Sequence, residues 1–253
     1  MTIQYDGGRY SGWQRQGNTS STIQGKLEQA LTRLIGQEIE LSGSGRTDGG
    51  VHALGQVANF RAKAFLDCEQ FRAQLNGALP EDIYVSDLRL AGERFHARFS
   101  AREKVYRYTI ETGAQRNVFA RKYVYHLPEA LDIGRMQDTA ALLLGTHDFR
   151  GFSTGRTKKT TVRHLSSIDI RREGANVTLT FTGNGFLYNM ARAMAGTVVY
   201  AAEGKIAPKD IGAILDSGNR TAAGPTVPAG GLYMTGVWYD KGQDRFSLNN
   251  GFR

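Results

Sequence analysis

The chain has 253 residues, with 32 Lys and Arg against 24 Asp and Glu, a formal net charge of +8 at pH 7. With 40% hydrophobic and 22% charged residues, it has the composition of a globular protein of one or two domains, which excludes a disordered, collagenous or coiled-coil chain. The longest apolar runs, residues 140–144 and 198–202, stop at five, far short of the roughly 18 that a membrane helix needs. Residues 2–5 alternate like a strand and end at Asp6-Gly7-Gly8, a turn signal. A helix follows, with Ser21 and Gln24 in a capping-box pattern. Ile23, Leu27, Ala30, Leu31 and Leu34 fall on one face, and Gly36 sits at the C-terminal cap. Residues 38–42 and 56–61 read as strands. Asp67 opens a second helix with Phe71 and Leu75 inward and Asn76-Gly77 at its end, and residues 83–88 form a further strand.

The second half repeats this βαββαβ order. Residues 102–112 form a strand with Tyr106, Tyr108 and Ile110 on one face and Val105, Arg107 and Thr109 on the other. A helix from Asp132 turns Met136, Ala140, Leu143 and Leu144 inward. Residues 162–170 and 177–182 are strands joined through Glu173-Gly174. Residues 189–203 are a helix with Met190, Met194, Val198 and Ala201 on one stripe. A short helix starts at Pro208, and residues 232–239 close the set. The pattern predicts an α+β protein of two ferredoxin- or RRM-like halves, residues 1–98 and 99–253, with a mainly antiparallel sheet.

One segment breaks the pattern. Between the strands ending at Ser42 and starting at Gln56 lie 13 residues with five glycines, one cation (Arg46) and one carboxylate (Asp48). A hairpin needs 2 to 5 loop residues, and unstructured loops beyond about 12 are usually functional or disordered. On spacing alone, a turn in which Asp48 bonds its own backbone is as good a reading as a ligand loop. Phosphate-binding readings fail: Gly43-x-Gly45 lacks the third glycine of the dinucleotide fingerprint, no Gly-Lys-Ser/Thr follows, and the loop leads into a strand rather than a helix.

The segment Gly45-Arg46-Thr47-Asp48-Gly49-Gly50-Val51-His52-Ala53 resembles the signature loop of the tRNA pseudouridine synthase A family. Further blocks resemble that family in order along nearly the whole chain. They are Tyr5-Asp6-Gly7 with Gly12-Trp13-Gln14, Thr22-Ile23-Gln24, Lys104-Val105-Tyr106-Arg107-Tyr108 and His147-Asp148-Phe149 with Phe152. Phe186-Leu187-Tyr188-Asn189-Met190-Ala191-Arg192 with Gly196-Thr197, and Pro228-Ala229 with Gly231-Leu232, complete the series. Two departures stand out: Gly49 where the family usually has alanine, and Ala191 where it often has valine. Both leave the reacting groups in place, and glycine at 49 adds backbone freedom.

The resemblance implies an isomerase that breaks the uridine N1–C1′ bond, turns the base and rejoins it through C5, in the tRNA anticodon stem-loop at positions 38, 39 and 40. It implies Asp48 as the catalytic carboxylate, acting as nucleophile or as the base for a ribose proton, with Tyr106 packed on the target uracil and Arg192 beside Asp48. An arginine within about 4–6 Å keeps a carboxylate ionised. Arg192 lies about 200° around its helix from Met190, off the apolar stripe. Arg46 is the expected wedge or phosphate clamp when the base is extruded. No cofactor is expected, and no metal: the five histidines lack metal-ligand spacing, and Cys68, the single cysteine, offers no thiolate cluster. Arg150 to Arg163, including Arg156, Lys158 and Lys159, carries five cations and no acid, and Arg94 to Arg107 carries five against Glu103. Both suit a phosphate backbone.

A homodimer gripping one tRNA is implied by the resemblance. With no charged-then-apolar leader and no membrane run, the expected location is cytoplasmic. A non-catalytic RRM-like module is the rival reading, but residues 56–61 (Gln-Val-Ala-Asn-Phe-Arg) do not match its aromatic strand pattern. A small-molecule enzyme using the loop as an anion site is a second rival, and the basic stretches argue against it.

Overall fold

In the computed structural model, residues 1–63, 67–155 and 160–240 are described. They divide into two compact units, residues 1–104 with 233–240 and residues 105–232. Both mix helices with mainly antiparallel strands, the α+β architecture that the pattern predicts.

The first unit contains β1 (Thr2–Tyr5), α1 (Ile23–Ile35), β2 (Ser42–Gly43), β3 (His52–Asn59), α2 (Cys68–Ala78) and β4 (Ile83–Asp87). Its strand order is β4-β1-β3 with β2 also on β3, the ferredoxin-like arrangement, and these pairs are antiparallel. The last strand, β10 (Leu232–Tyr239), joins this unit from Tyr233 onward, running parallel to β3 with Tyr233 opposite His52 and Met234 opposite Ala53. Ile3, Ile23, Leu27, Leu31, Val57, Leu75 and Val85 form its fully buried core.

The second unit contains the bulk of β5 (Ala101–Thr112), which enters it after Lys104, then β6 (Tyr125–Leu127), α3 (Ile133–Ala141) and β7 (Gly145–Asp148). β8 (Val162–Glu173), β9 (Asn176–Gly183), α4 (Met190–Ala202) and α5 (Ile211–Ser217) follow. Its strand order is β5-β9-β8-β7, with β6 added parallel to β5. Ile110, Met136, Leu143, Phe149, Phe152, Phe181, Met190 and Met194 are fully buried. Among the described residues no helix is long and apolar enough to cross a membrane.

Several local expectations are corrected. Thr22 rather than Ser21 caps α1, its hydroxyl accepting from the Gly25 N–H, while Gln24 reaches Glu28 and the Leu41 carbonyl. The strand expected over residues 38–42 shrinks to Ser42–Gly43. Side chains of α1 take its backbone donors: Thr32 accepts from Ile39 N–H and Glu28 from Leu41 N–H, so no ladder forms there. The loop is correspondingly shorter, Ser44 to Val51, because residues 52–55 pair within β3. Asn76-Gly77 lies inside α2 rather than ending it. Leu34 and Leu144, expected inward, are 36% and 38% exposed. In α4 every residue except Arg192 and Tyr200 is buried, so the helix has no single apolar stripe but is enclosed nearly all round.

Candidate active site

The loop from Ser44 to Val51 is clamped along its length. At its start the Ser44 N–H donates to the Val57 carbonyl, the Ser44 hydroxyl bonds Gln56 Oε1 at 2.7 Å, and Gln56 Nε2 returns to the Gly45 carbonyl at 3.0 Å. Lys104 Nζ donates to the Ser44 carbonyl at 2.6 Å. In the middle, buried Thr47 receives the Trp13 N–H at its carbonyl and bonds the Tyr5 phenol through its hydroxyl. At the far end the Gly50 N–H donates to the Tyr10 carbonyl, and the Val51 N–H to the carbonyl of Asp48. The result is an exposed Arg46 and a half-buried Asp48 on either side of a fully anchored residue. The main-chain bond from Val51 to Asp48 is one tie among many.

This geometry explains the Gly12-Trp13-Gln14 block. Gly12 has φ +98° and lies so close to the loop that a Cβ there would stand 2.7 Å from the Thr47 carbonyl oxygen; only glycine meets both conditions. The first N–H groups of α1, from Ile23 and Gln24, donate to the Gly12 and Trp13 carbonyls, so the helix start fixes this segment. Trp13 is 2% exposed and its ring packs against Gly43. Gln14 Oε1 accepts from Arg46 Nε at 3.0 Å, orienting the exposed guanidinium. His52 closes the loop: it stacks on Tyr233 with ring centroids 4.9 Å apart, and its Nδ1 accepts from the Gly7 N–H. Composition and spacing gave no signal for Tyr5, Gln14, Thr47, Gln56 or Lys104 as supports of Asp48. Four of them lie in the family-like blocks, and that was the only available pointer.

The second unit positions the other two predicted catalytic residues. Tyr106 on β5 is 6% exposed and meets Phe186 edge-on, with centroids 4.8 Å apart. Arg192, in the first turn of α4, is half-buried. Its Nε donates to the Val227 carbonyl at 2.7 Å and its Nη1 to Asn189 Oδ1 at 3.0 Å. Asn189 adopts φ 61°, a left-handed conformation asparagine tolerates, and its amide also donates to Thr154 Oγ1. The segment that carries Val227 is held by close packing. A Cβ on Gly196 would stand 2.0 Å from the Pro225 oxygen, the Thr197 hydroxyl accepts from Gly224 N–H, and the Tyr108 phenol donates to the Pro228 carbonyl. Asp148 caps the turn after β7 and is held below the usual carboxylate range by its bond to Thr161 and by the Arg150 N–H. Phe149 and Phe152 fill the core beneath it.

Thus Arg46 and Asp48 share one anchored loop in the first unit, while Tyr106 and Arg192 each have a fixed place in the second. Arg156, Lys158 and Lys159, expected to bind substrate, lie outside the described residues.

The family model described as tRNA pseudouridine synthase matches residues 1–100 and 139–240. A tRNA pseudouridine synthase A of Caldicellulosiruptor bescii is 43% identical over 240 residues, covering 94% of this chain and 98% of that protein. Those of Bacillus sp. strain KSM-64 (43% over 238 residues, 94% and 97%) and Geobacillus kaustophilus (43% over 240 residues, 94% and 93%) are similarly close. The chain belongs to the tRNA pseudouridine synthase family.

Proposed function

We propose that this protein isomerises uridine to pseudouridine in tRNA, at positions 38, 39 and 40 of the anticodon stem-loop, as a cytoplasmic homodimer. The observation that carries the reading is the anchored loop that holds Asp48 half-buried next to an exposed, Gln14-oriented Arg46. A binding module needs no such presentation of a carboxylate.

The reaction conserves atoms apart from one proton exchanged at each of two positions. The N1–C1′ bond breaks, the base turns, a C1′–C5 bond forms, the C5 proton leaves to solvent and N1 gains one. Two routes use Asp48: attack as a nucleophile, or removal of a ribose proton. Both need it ionised, and Arg192 is the cation assigned to keep it so. The donors already spent on Val227 and Asn189 fix the direction of that guanidinium. Tyr106 packs on the extruded uracil and moves the C5 proton, with Phe186 backing its ring. Because a stacked uridine cannot reach the carboxylate, the base is extruded, and Arg46 fills or clamps the space it leaves. Arg156, Lys158 and Lys159 are assigned to phosphates.

Primer-extension mapping of pseudouridine after incubation with an unmodified tRNA transcript tests this. Modification confined to positions 38–40 is expected. Modification elsewhere overturns the site assignment, and none overturns the function.

A further inference from the structure

The segment between β4 and β5 presents an aromatic ring that the proposed reaction does not use. Phe99 is 79% exposed, a large apolar surface to leave open to solvent. The loop beneath it is held rigidly. Ala97 is fully buried and gripped from both sides, its N–H donating to Asn59 Oδ1 at 2.8 Å and its carbonyl accepting from the Tyr239 phenol at 2.8 Å. Phe95 packs on the Tyr239 ring with centroids 5.1 Å apart, the His96 N–H donates to Ser100 Oγ, and the Ser100 N–H returns to the His96 carbonyl.

Cationic and aromatic groups frame the exposed ring. The Arg98 guanidinium lies 6.0 Å from the Phe99 centroid, and the His96 ring lies 4.4 Å away at 41°. Arg94 is also exposed on this loop, whereas Arg102 is engaged by Asp240 at 2.6 Å. Arg94 and Arg98 make no ion pair among the described residues. An aromatic ring with most of its surface open on an anchored backbone, with the Arg98 cation beside it and Arg94 on the same segment, matches what unpaired nucleotides require: a stacking platform near charges for the phosphates. The charge on this loop favours a polyanion over an apolar protein surface.

We propose that Phe99, with Arg98 and Arg94, is an RNA-contact platform separate from the isomerisation residues, where a base of the tRNA stacks on the Phe99 ring and the arginines hold the adjoining phosphates. This rests on tRNA being the substrate. The test measures binding of an unmodified tRNA transcript to wild type, Phe99→Ala, Phe99→Trp and Arg98→Gln over a salt series. Oligomeric state is measured by light scattering, and pseudouridine formation is followed in wild type. The loss expected for Phe99→Ala is about 5- to 150-fold in affinity, with restoration by Phe99→Trp and an unchanged oligomeric state. Arg98→Gln lowers the salt slope by about one counterion. If Phe99→Ala binds like wild type, or changes the oligomeric state instead, the platform is overturned, and in the second case the ring belongs to a contact between copies of the chain. A wild type that forms pseudouridine while Phe99→Ala binds normally removes this proposal alone; a wild type that neither binds nor modifies tRNA removes the function with it.

Discussion

The phenol oxygen of Tyr5 lies 2.7 Å from the hydroxyl of Thr47, a buried bond that ties β1 to the residue immediately before Asp48. Tyr5→Phe leaves the Thr47 hydroxyl without that partner at a cost of about 1–3 kcal/mol, measurable as a lower melting temperature with slower turnover. The same tyrosine sets an alkaline limit. Burial pushes its phenol up to about 12, and burial also raises Tyr108 and Tyr239. Above about pH 10, the ordinary tyrosine value, the unfolded chain binds fewer protons than the native one, so stability falls as pH rises. These tyrosines contribute full stability below pH about 10 and lose it progressively above. Thermal melts from pH 8 to 11.5 check this, and Tyr5→Phe removes part of the alkaline slope.

Gly49 is one of the two departures in the family-like blocks. Its φ is outside the left-handed range, and a Cβ would meet the Tyr10 carbonyl oxygen at 3.6 Å and two Ser11 backbone carbons at 3.7 and 3.8 Å, ordinary contacts. Gly49→Ala therefore stabilises by about 0.4–1 kcal/mol through the unfolded state, with turnover at or above wild type. A fall in melting temperature would contradict this reading of the loop.

Two helical glycines make a matched pair. In α4, an alanine at 196 gains about 1 kcal/mol of helix propensity but places Cβ 2.0 Å from the Pro225 oxygen. Overpacking of this kind costs about 1–3 kcal/mol and wins; it also shifts the Val227 carbonyl that Arg192 uses. Gly196→Ala lowers both stability and turnover. A Cβ on Gly212 in α5 would meet no atom within 4 Å, so Gly212→Ala stabilises by up to about 1 kcal/mol with unchanged turnover. Denaturant melts and turnover assays on both separate the effects.

Asn189→Gly keeps the φ 61° backbone without strain but deletes the acceptor for Arg192 Nη1. Arg192 is then held by the Val227 carbonyl alone of these two partners, so turnover falls about tenfold or more, with a melting-temperature loss in keeping with the bonds removed to Arg192 and Thr154. Arg192→Lys has a comparable effect, because a point ammonium lacks the planar fork whose Nε and Nη1 reach the Val227 carbonyl and Asn189 separately. A lower melting temperature with turnover unchanged would instead mark Asn189 as a purely structural cap.

Strands β1, β3, β4, β5, β8, β9 and β10 and helices α1, α2 and α3 were legible because their apolar residues recur with the period of the element and the helix caps carry Asp, Thr or Gly. Helix α4 was legible from its long apolar content alone, being buried nearly all round. β6 and β7 were not: three and four residues long, with Gly145, His147 and Asp148 in β7, they are strands only because a neighbouring strand pairs with them. Residues 38–41 misled for the opposite reason. Their alternation is that of a strand, but Thr32 and Glu28 of the preceding helix capture the backbone. Asp48 and Arg46 stood out against a glycine-rich background. Their supports did not, because Tyr5, Gln56 and Lys104 reach the loop through tertiary contacts that no local period encodes.

The central claim is that Asp48 performs chemistry on a uridine. Tritium release from tRNA containing 5-tritiated uridine, compared for wild type and Asp48→Asn with tRNA binding measured in parallel, tests it most directly. The account predicts release by wild type only, with binding retained by both. Release by Asp48→Asn at the wild-type rate would contradict it, and binding by both without release would leave an RNA-binding protein on this fold.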